Sequence, residues 1–229
     1  MNLALRDEER AVFTLRGRPW YYLALYYAAL ISLWAGAWYL HDRTSLRDLS
    51  PRDTLAYWTL AKLVIWIGPI LLIVTRAFKE EPAAYLGLVR FRRGARAGLA
   101  VGAIFVALAA TVDAFTRSHG LPEAMWGTLN ALIVAPVLEE VVFRGFALKA
   151  LEQSGCRFWP ANGIAGVLFL GLHLPGWHFT RGLDSSSIAA GLSVVSVGMA
   201  AGYAKHRSNS TWASVTVHFL NNAYAAFLR

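Results

Sequence analysis

The chain has 229 residues, of which 56% are hydrophobic and only 16% charged, with a mean hydropathy of +0.42. Soluble domains usually carry about 25% charged residues, so the composition excludes an ordinary water-soluble globule and predicts an all-α, polytopic bundle of membrane-spanning helices. The net charge of +8 does not imply a nucleic-acid partner, because the basic residues lie mainly in short loops between apolar segments, where lysine and arginine hold loops in the cytoplasm.

In chain order the apolar segments are 20–40, 55–75, 97–116, 126–148, 158–175, 186–204 and 210–228. A helical span takes about 20 apolar residues, which predicts seven spans, or eight if 158–183 breaks near Pro175-Gly176. The first segment follows Arg6, Arg10, Arg16 and Arg18, and Ala35-Gly36-Ala37 fits a signal cleavage site. Its apolar run is too long for a signal core of roughly 7–15 residues, so it is expected to be a retained anchor. Trp20, Tyr21 and Tyr22 at one end, with Trp38 and Tyr39 at the other, look like interfacial belts. With the N-terminus inside, fourteen Lys and Arg face the cytoplasm and six the other side, which predicts a cytoplasmic N-terminus. No internal repeat or separate soluble domain is visible, so 1–229 is expected to form one membrane-embedded unit, with N-terminal helices over 1–120 and a motif-bearing core over 125–228. Cys156 is the lone cysteine, which excludes an intramolecular disulfide and a cysteine metal cluster.

Of the fourteen acidic residues, Asp113, Glu139 and Glu140 lie inside apolar segments. An ionisable group at mid-bilayer costs about 2.5–3.5 kcal/mol on insertion scales, and adjacent helical positions point about 100° apart, so two neighbouring glutamates require protein or water around a wide face. Arg144 stands four residues after Glu140, one turn on, where the two can pair; Glu139 is left on a neighbouring face. Among six histidines, His173 and His218 lie within apolar segments, and Asn222 follows His218 by one turn. A purely structural polar network is the plain alternative, but a buried ion pair contributes little to stability, and such a pair needs no second glutamate.

A carboxylate, a histidine and a His/Asn donor pair on three helices suit amide hydrolysis. Glu139 can accept a proton from water, His173 can position that water, and His218 and Asn222 can donate to the carbonyl oxygen as charge develops. In the same order, Glu139-Glu140-x-x-x-Arg144, Phe169-x-x-x-His173 and His218-x-x-x-Asn222 resemble the three motifs of the CPBP family, which includes type II CAAX prenyl endopeptidases and Abi proteins. The resemblance covers roughly 125–228. It implies a bundle of about eight helices and a glutamic-type intramembrane protease without cofactor. By the family pattern Glu139 and His173 activate water, His218 and Asn222 stabilise the oxyanion, and Glu140 and Arg144 support them.

Other readings stay open at this level. A zinc metallopeptidase using His173, His218 and a glutamate is the nearest, although no His-Glu-x-x-His helix is present. A non-catalytic immunity or anchoring protein on the same scaffold and an ion-relay transporter are others. The expected partners are the lipid bilayer and a membrane-associated protein or peptide substrate, and the Ala- and Arg-rich composition suggests a bacterial inner membrane. For His173 to reach the glutamates, its span is expected to run on through Trp177 rather than break at Pro175, which also brings His178 nearer.

Overall fold

The computed structural model describes residues 18–116 and 125–227. Within them the chain forms eight helices and no strand: α1 (Arg18–Arg43), α2 (Pro51–Phe78), a short α3 (Pro82–Tyr85), α4 (Phe91–Thr116), α5 (125–153), α6 (Phe158–Thr180), α7 (Ser185–Ser208) and α8 (Thr211–Phe227). The all-α bundle expected from composition is therefore present, and each of the seven apolar segments lies in a helix of its own. Among the described residues, α1, α2, α4 and α7 are long and apolar enough to cross a membrane. Their outward sides carry exposed Leu33, Val64, Leu72, Ile104, Leu108 and Ile188, the residues that lipid rather than water tolerates. Helix α6 runs unbroken past Pro175 to Thr180, as the position of His173 required.

The inner faces of α1, α2, α5 and α6 build one continuous core around Leu30, Trp34, Trp66, Ile70, Phe143, Phe146 and Phe169. Helix α4 joins the bundle differently. Gly94, Gly98 and Gly102 recur every four residues along it and lie against α8: a Cβ on Gly98 would stand 2.5 Å from Thr216 Cβ, and one on Gly102 would stand 2.6 Å from Leu220 Cδ1. Lipid tails are as apolar as leucine, so helices in a membrane associate by close backbone approach, which small residues permit. Through that seam α4 backs the helix that carries His218 and Asn222. The start of α8 is fixed by Trp212 Nε1, which donates to the Leu88 carbonyl at 2.6 Å. Asn209, in the left-handed region at φ 51°, ends α7 and turns the chain into α8.

Two helices widen to i→i+5 hydrogen bonding just before a proline. In α2 this covers Leu63–Ile67, ahead of Pro69; in α5 it covers Asn130–Val134, ahead of Pro136. Proline lacks an N–H and its ring crowds the carbonyl one turn back, so a wider turn relieves the clash but leaves a carbonyl without its backbone donor. Both widened turns border the polar centre, where such bulges are often found.

Candidate active site

Helix α5 delivers the two glutamates to different surroundings. Glu140 is fully buried; its Oε1 accepts from Arg144 Nη1 at 3.0 Å and from His218 Nδ1 at 2.8 Å. The guanidinium of Arg144 lies 4.6 Å over the ring of Phe169. It has room because residue 198 is glycine, whose added Cβ would come within 2.5 Å of Arg144 Nη2. The pairing expected between Glu140 and Arg144 is thus present, and it extends to His218.

Glu139 is nearly buried and faces open space. Two cavities meet at its side chain. One, of about 320 Å³, is walled by Trp34, Trp38, Trp58, Trp66 and Trp177. The other, of about 260 Å³, is walled by α5, α6, α7 and α8 and is lined by Phe169, His218, Asn221 and Asn222. Glu139, His173 and Asn130 line both. Of the residues singled out from sequence, Glu139, His173, His218 and Asn222 are gathered around the second cavity, while Glu140 and Arg144 lie behind it. His178 is exposed and lines neither cavity.

The ring protons follow from the partners. His173 Nδ1 lies 2.8 Å from the Phe169 carbonyl, which can only accept, so Nδ1 carries the proton and Nε2 offers a lone pair. His218 Nδ1 faces the Glu140 carboxylate oxygen that also accepts from Arg144, so it too is the donor, and its Nε2 lies 4.0 Å from Glu139 Oε2. Asn222 donates through Nδ2 to the Ala131 carbonyl at 2.8 Å and accepts from Asn221 at Oδ1. This contact has a local cause. Ala135 N–H bonds to Asn130 C=O, so the next donor in that register would be residue 136, a proline, and the Ala131 carbonyl takes a side-chain donor instead. The amide of Asn222 has two N–H groups, and one is left for a ligand.

Sequence reasoning missed Lys62. It is nearly buried on α2, its Nζ is 4.0 Å from Glu139 Oε1 and 3.4 Å from Asn130 Oδ1, and it sits 5.2 Å from the centre of the Trp66 ring. Glu139 is therefore separate from Arg144 but has its own cation. The clue was present: of the 22 Lys and Arg, Lys62 and Arg144 are the two inside apolar segments. Trp38, expected from sequence as an interfacial belt residue, also has an inward role. It is half-buried, packed 4.2 Å from Trp58 between ring centroids, and lines the aromatic cavity.

Residues 121–224 match the family model described as Rce1-like, type II CAAX prenyl endopeptidase Rce1-like. That stretch, a little under half of the chain, is similar to the CPBP family. The matched segment contains every motif residue from Glu139 to Asn222. It leaves out Lys62 and four of the five tryptophans of the aromatic cavity. No curated protein and no solved structure matches the chain.

Proposed function

We propose that the protein is an intramembrane endopeptidase that hydrolyses a peptide bond in a membrane-associated protein or peptide, with a glutamate and a histidine activating water. The observation that carries this reading is that Glu139 and His173, whose Nδ1 is taken by the Phe169 carbonyl, both line the two cavities that join inside the bundle. Water held between them gives a proton to Glu139 and attacks the substrate carbonyl, while His173 orients it; Glu139 then passes that proton to the leaving nitrogen as the C–N bond breaks. The carbonyl oxygen gains charge and is met by the free N–H of Asn222 and by His218 Nε2. Because His218 Nδ1 already gives its proton to Glu140, Nε2 can donate only when both ring nitrogens carry a proton. Glu140 and Arg144 hold that ring in place. Lys62 is a positioning residue that steadies the Glu139 carboxylate, and the tryptophan cavity is suited to an apolar part of the substrate. The family description, CAAX prenyl endopeptidase, supports the same reaction class.

One observation favours a second reading. Zinc-bound histidines commonly give their other ring proton to a carboxylate or carbonyl, and His218 and His173 do so here. Among the described residues, however, no group of three His, Cys, Asp or Glu is gathered closely enough to hold a metal ion, and Asn222 has no natural place in a zinc site.

The test compares protein termini in membranes from parental cells and from cells lacking the protein. New termini should appear only in the parent and return on complementation with the wild-type chain but not with Glu139→Gln. Return with Glu139→Gln would overturn the mechanism.

A further inference from the structure

A third cavity, of about 590 Å³, lies between α3, the end of α5 and the end of α7. Lys149 is ten residues beyond Glu139, which at a rise of about 1.5 Å per residue puts this cavity about 15 Å along α5 from the glutamate. Tyr85, Arg90, Lys149, Glu152, Lys205 and Asn209 stand in its wall, so three cations face one carboxylate. Glu152 also lies 3.9 Å from His206 Nδ1, outside the cavity wall. Lys149 donates to the Tyr85 carbonyl at 2.9 Å and lies 4.1 Å over the Tyr85 ring. Burial and the nearby Glu80 push the Tyr85 phenol above its ordinary value, so it stays neutral and adds no charge to the wall. Its hydroxyl donates to Gln153.

Lys205 is the residue without an explanation. Its side chain is only 7% exposed, and among the described residues it makes no hydrogen bond and no ion pair. The C-terminus of α7 offers a favourable dipole, but no carbonyl there receives the ammonium. A buried cation without a direct ion pair is costly; Glu152 in the same wall attracts it without pairing, and neighbouring Lys149 and Arg144 add repulsion. An anion in the cavity would relieve both. The wall is made of segments 84–90, 149–153 and 205–209, all from regions that the charge bias assigns to the cytoplasmic side, where anionic lipid headgroups concentrate.

We propose that this cavity is a binding site for a negatively charged phosphate group, with Lys205 and Lys149 inside it and Arg90 at its exposed rim. The group is either that of an anionic lipid or a free phosphate, and one experiment separates them. Full-length protein in detergent is titrated with phosphatidylglycerol, with phosphatidylcholine, or with inorganic phosphate, and its melting temperature is followed. Stabilisation by phosphatidylglycerol alone identifies a lipid headgroup, and stabilisation by inorganic phosphate as well identifies a free-phosphate site. In either case Lys205→Met and Arg90→Ala should each weaken the response about fivefold, the scale of one basic side chain at an anionic surface. Arg90 is exposed, so Arg90→Ala carries the test should Lys205→Met not fold. Equal stabilisation by phosphatidylcholine and phosphatidylglycerol, an unchanged response in the folded variants, or no response to any of the three overturns the proposal.

Discussion

The two cavities that meet at Glu139 share walls from α5 and α6 but differ in what completes them, α7 and α8 for one and α1 and α2 for the other, and in their chemistry. The one bounded by α5 to α8 is small and carries imidazole and amide groups held by neighbours: His218 by Glu140, His173 by a backbone carbonyl, Asn222 by another. The other is walled largely by tryptophans of α1 and α2, with one ammonium, Lys62, at its inner end. Fixed donors serve a reaction, because they cost no reorganisation when charge develops. An aromatic wall serves binding, because it offers apolar area with little side-chain entropy to lose. On the proposed mechanism the family-matched segment supplies the chemistry, and α1 and α2 add the apolar wall that shapes what reaches it. Substitutions on the two sides should therefore separate kcat from KM.

The largest effect is expected where the cavities join. Glu139→Gln keeps size and hydrogen bonding but removes the base, and general-base loss costs about 100- to 10,000-fold. Turnover should fall on that scale with melting temperature nearly unchanged. Glu140→Gln should behave differently, losing activity and stability together, because Arg144 is left buried without its counter-charge, a loss of about 3–5 kcal/mol when a buried pair is broken. Denaturant unfolding of both variants beside a cleavage assay checks this, and a destabilised Glu139→Gln with a stable Glu140→Gln would reverse the assignment of roles.

On the chemical side of the comparison, Asn222→Ala should lower kcat about 100- to 1000-fold, the cost of one oxyanion donor, while KM changes little. It also frees the Ala131 carbonyl, so some loss of stability accompanies it. Steady-state kinetics separates the two: a raised KM at unchanged kcat would assign Asn222 to binding instead.

Much of this chemical side was legible in the sequence, for a physical reason. Lipid penalises charge, so Glu139, Glu140, Arg144, His173 and His218 stand out against apolar neighbours, and the i,i+4 spacing of Glu140 with Arg144 and of His218 with Asn222 indicated shared faces. The aromatic side was not legible. Tryptophan near the end of a span is equally at home at an interface, and nothing local in Trp34 or Trp38 shows that both turn inward onto α2. Lys62 is hard to read because most lysines and arginines of this chain mark loops. The glycine seam of α4 was readable as a four-residue repeat, but its partner, α8, lies more than a hundred residues away. The widened turn before Pro136, which leaves the Ala131 carbonyl to Asn222, depends on how the helix accommodates a missing donor.

Smaller effects are expected across the aromatic side. Trp58→Ala should raise KM several-fold with kcat retained, since truncating a tryptophan anchor is worth upward of about 1 kcal/mol. Lys62 sits at the boundary and should behave like the chemical side. At 4.0 Å from Glu139 it holds the carboxylate in place, and Lys62→Met should lower kcat by roughly one order of magnitude, with partial recovery in Lys62→Arg. If Lys62→Met changed only KM, Lys62 would belong to substrate binding and the boundary between the two sides would move to Glu139 itself.

The smallest expected effect is none at all, on removing divalent metal. Three donors face the common cavity: Glu139, His173 Nε2 and His218 Nε2. For them to hold zinc, each must approach one point at about 2.0–2.2 Å, and both imidazoles must be neutral. The glutamic mechanism needs the opposite of His218. Its Nε2 must carry a proton, because only then can it donate to an oxygen that is gaining charge. One ring cannot give a lone pair to a metal and a proton to an oxyanion in the same step. The prediction is therefore that thoroughly chelated protein keeps full turnover and that metal analysis of active protein finds far less than one equivalent. About one zinc per chain, with activity lost on chelation and restored by zinc, would make His173 and His218 ligands and return Glu139 to the role of base toward a metal-bound water. In that case Asn222 would remain the one donor for the oxyanion, and Asn222→Ala would still lower kcat.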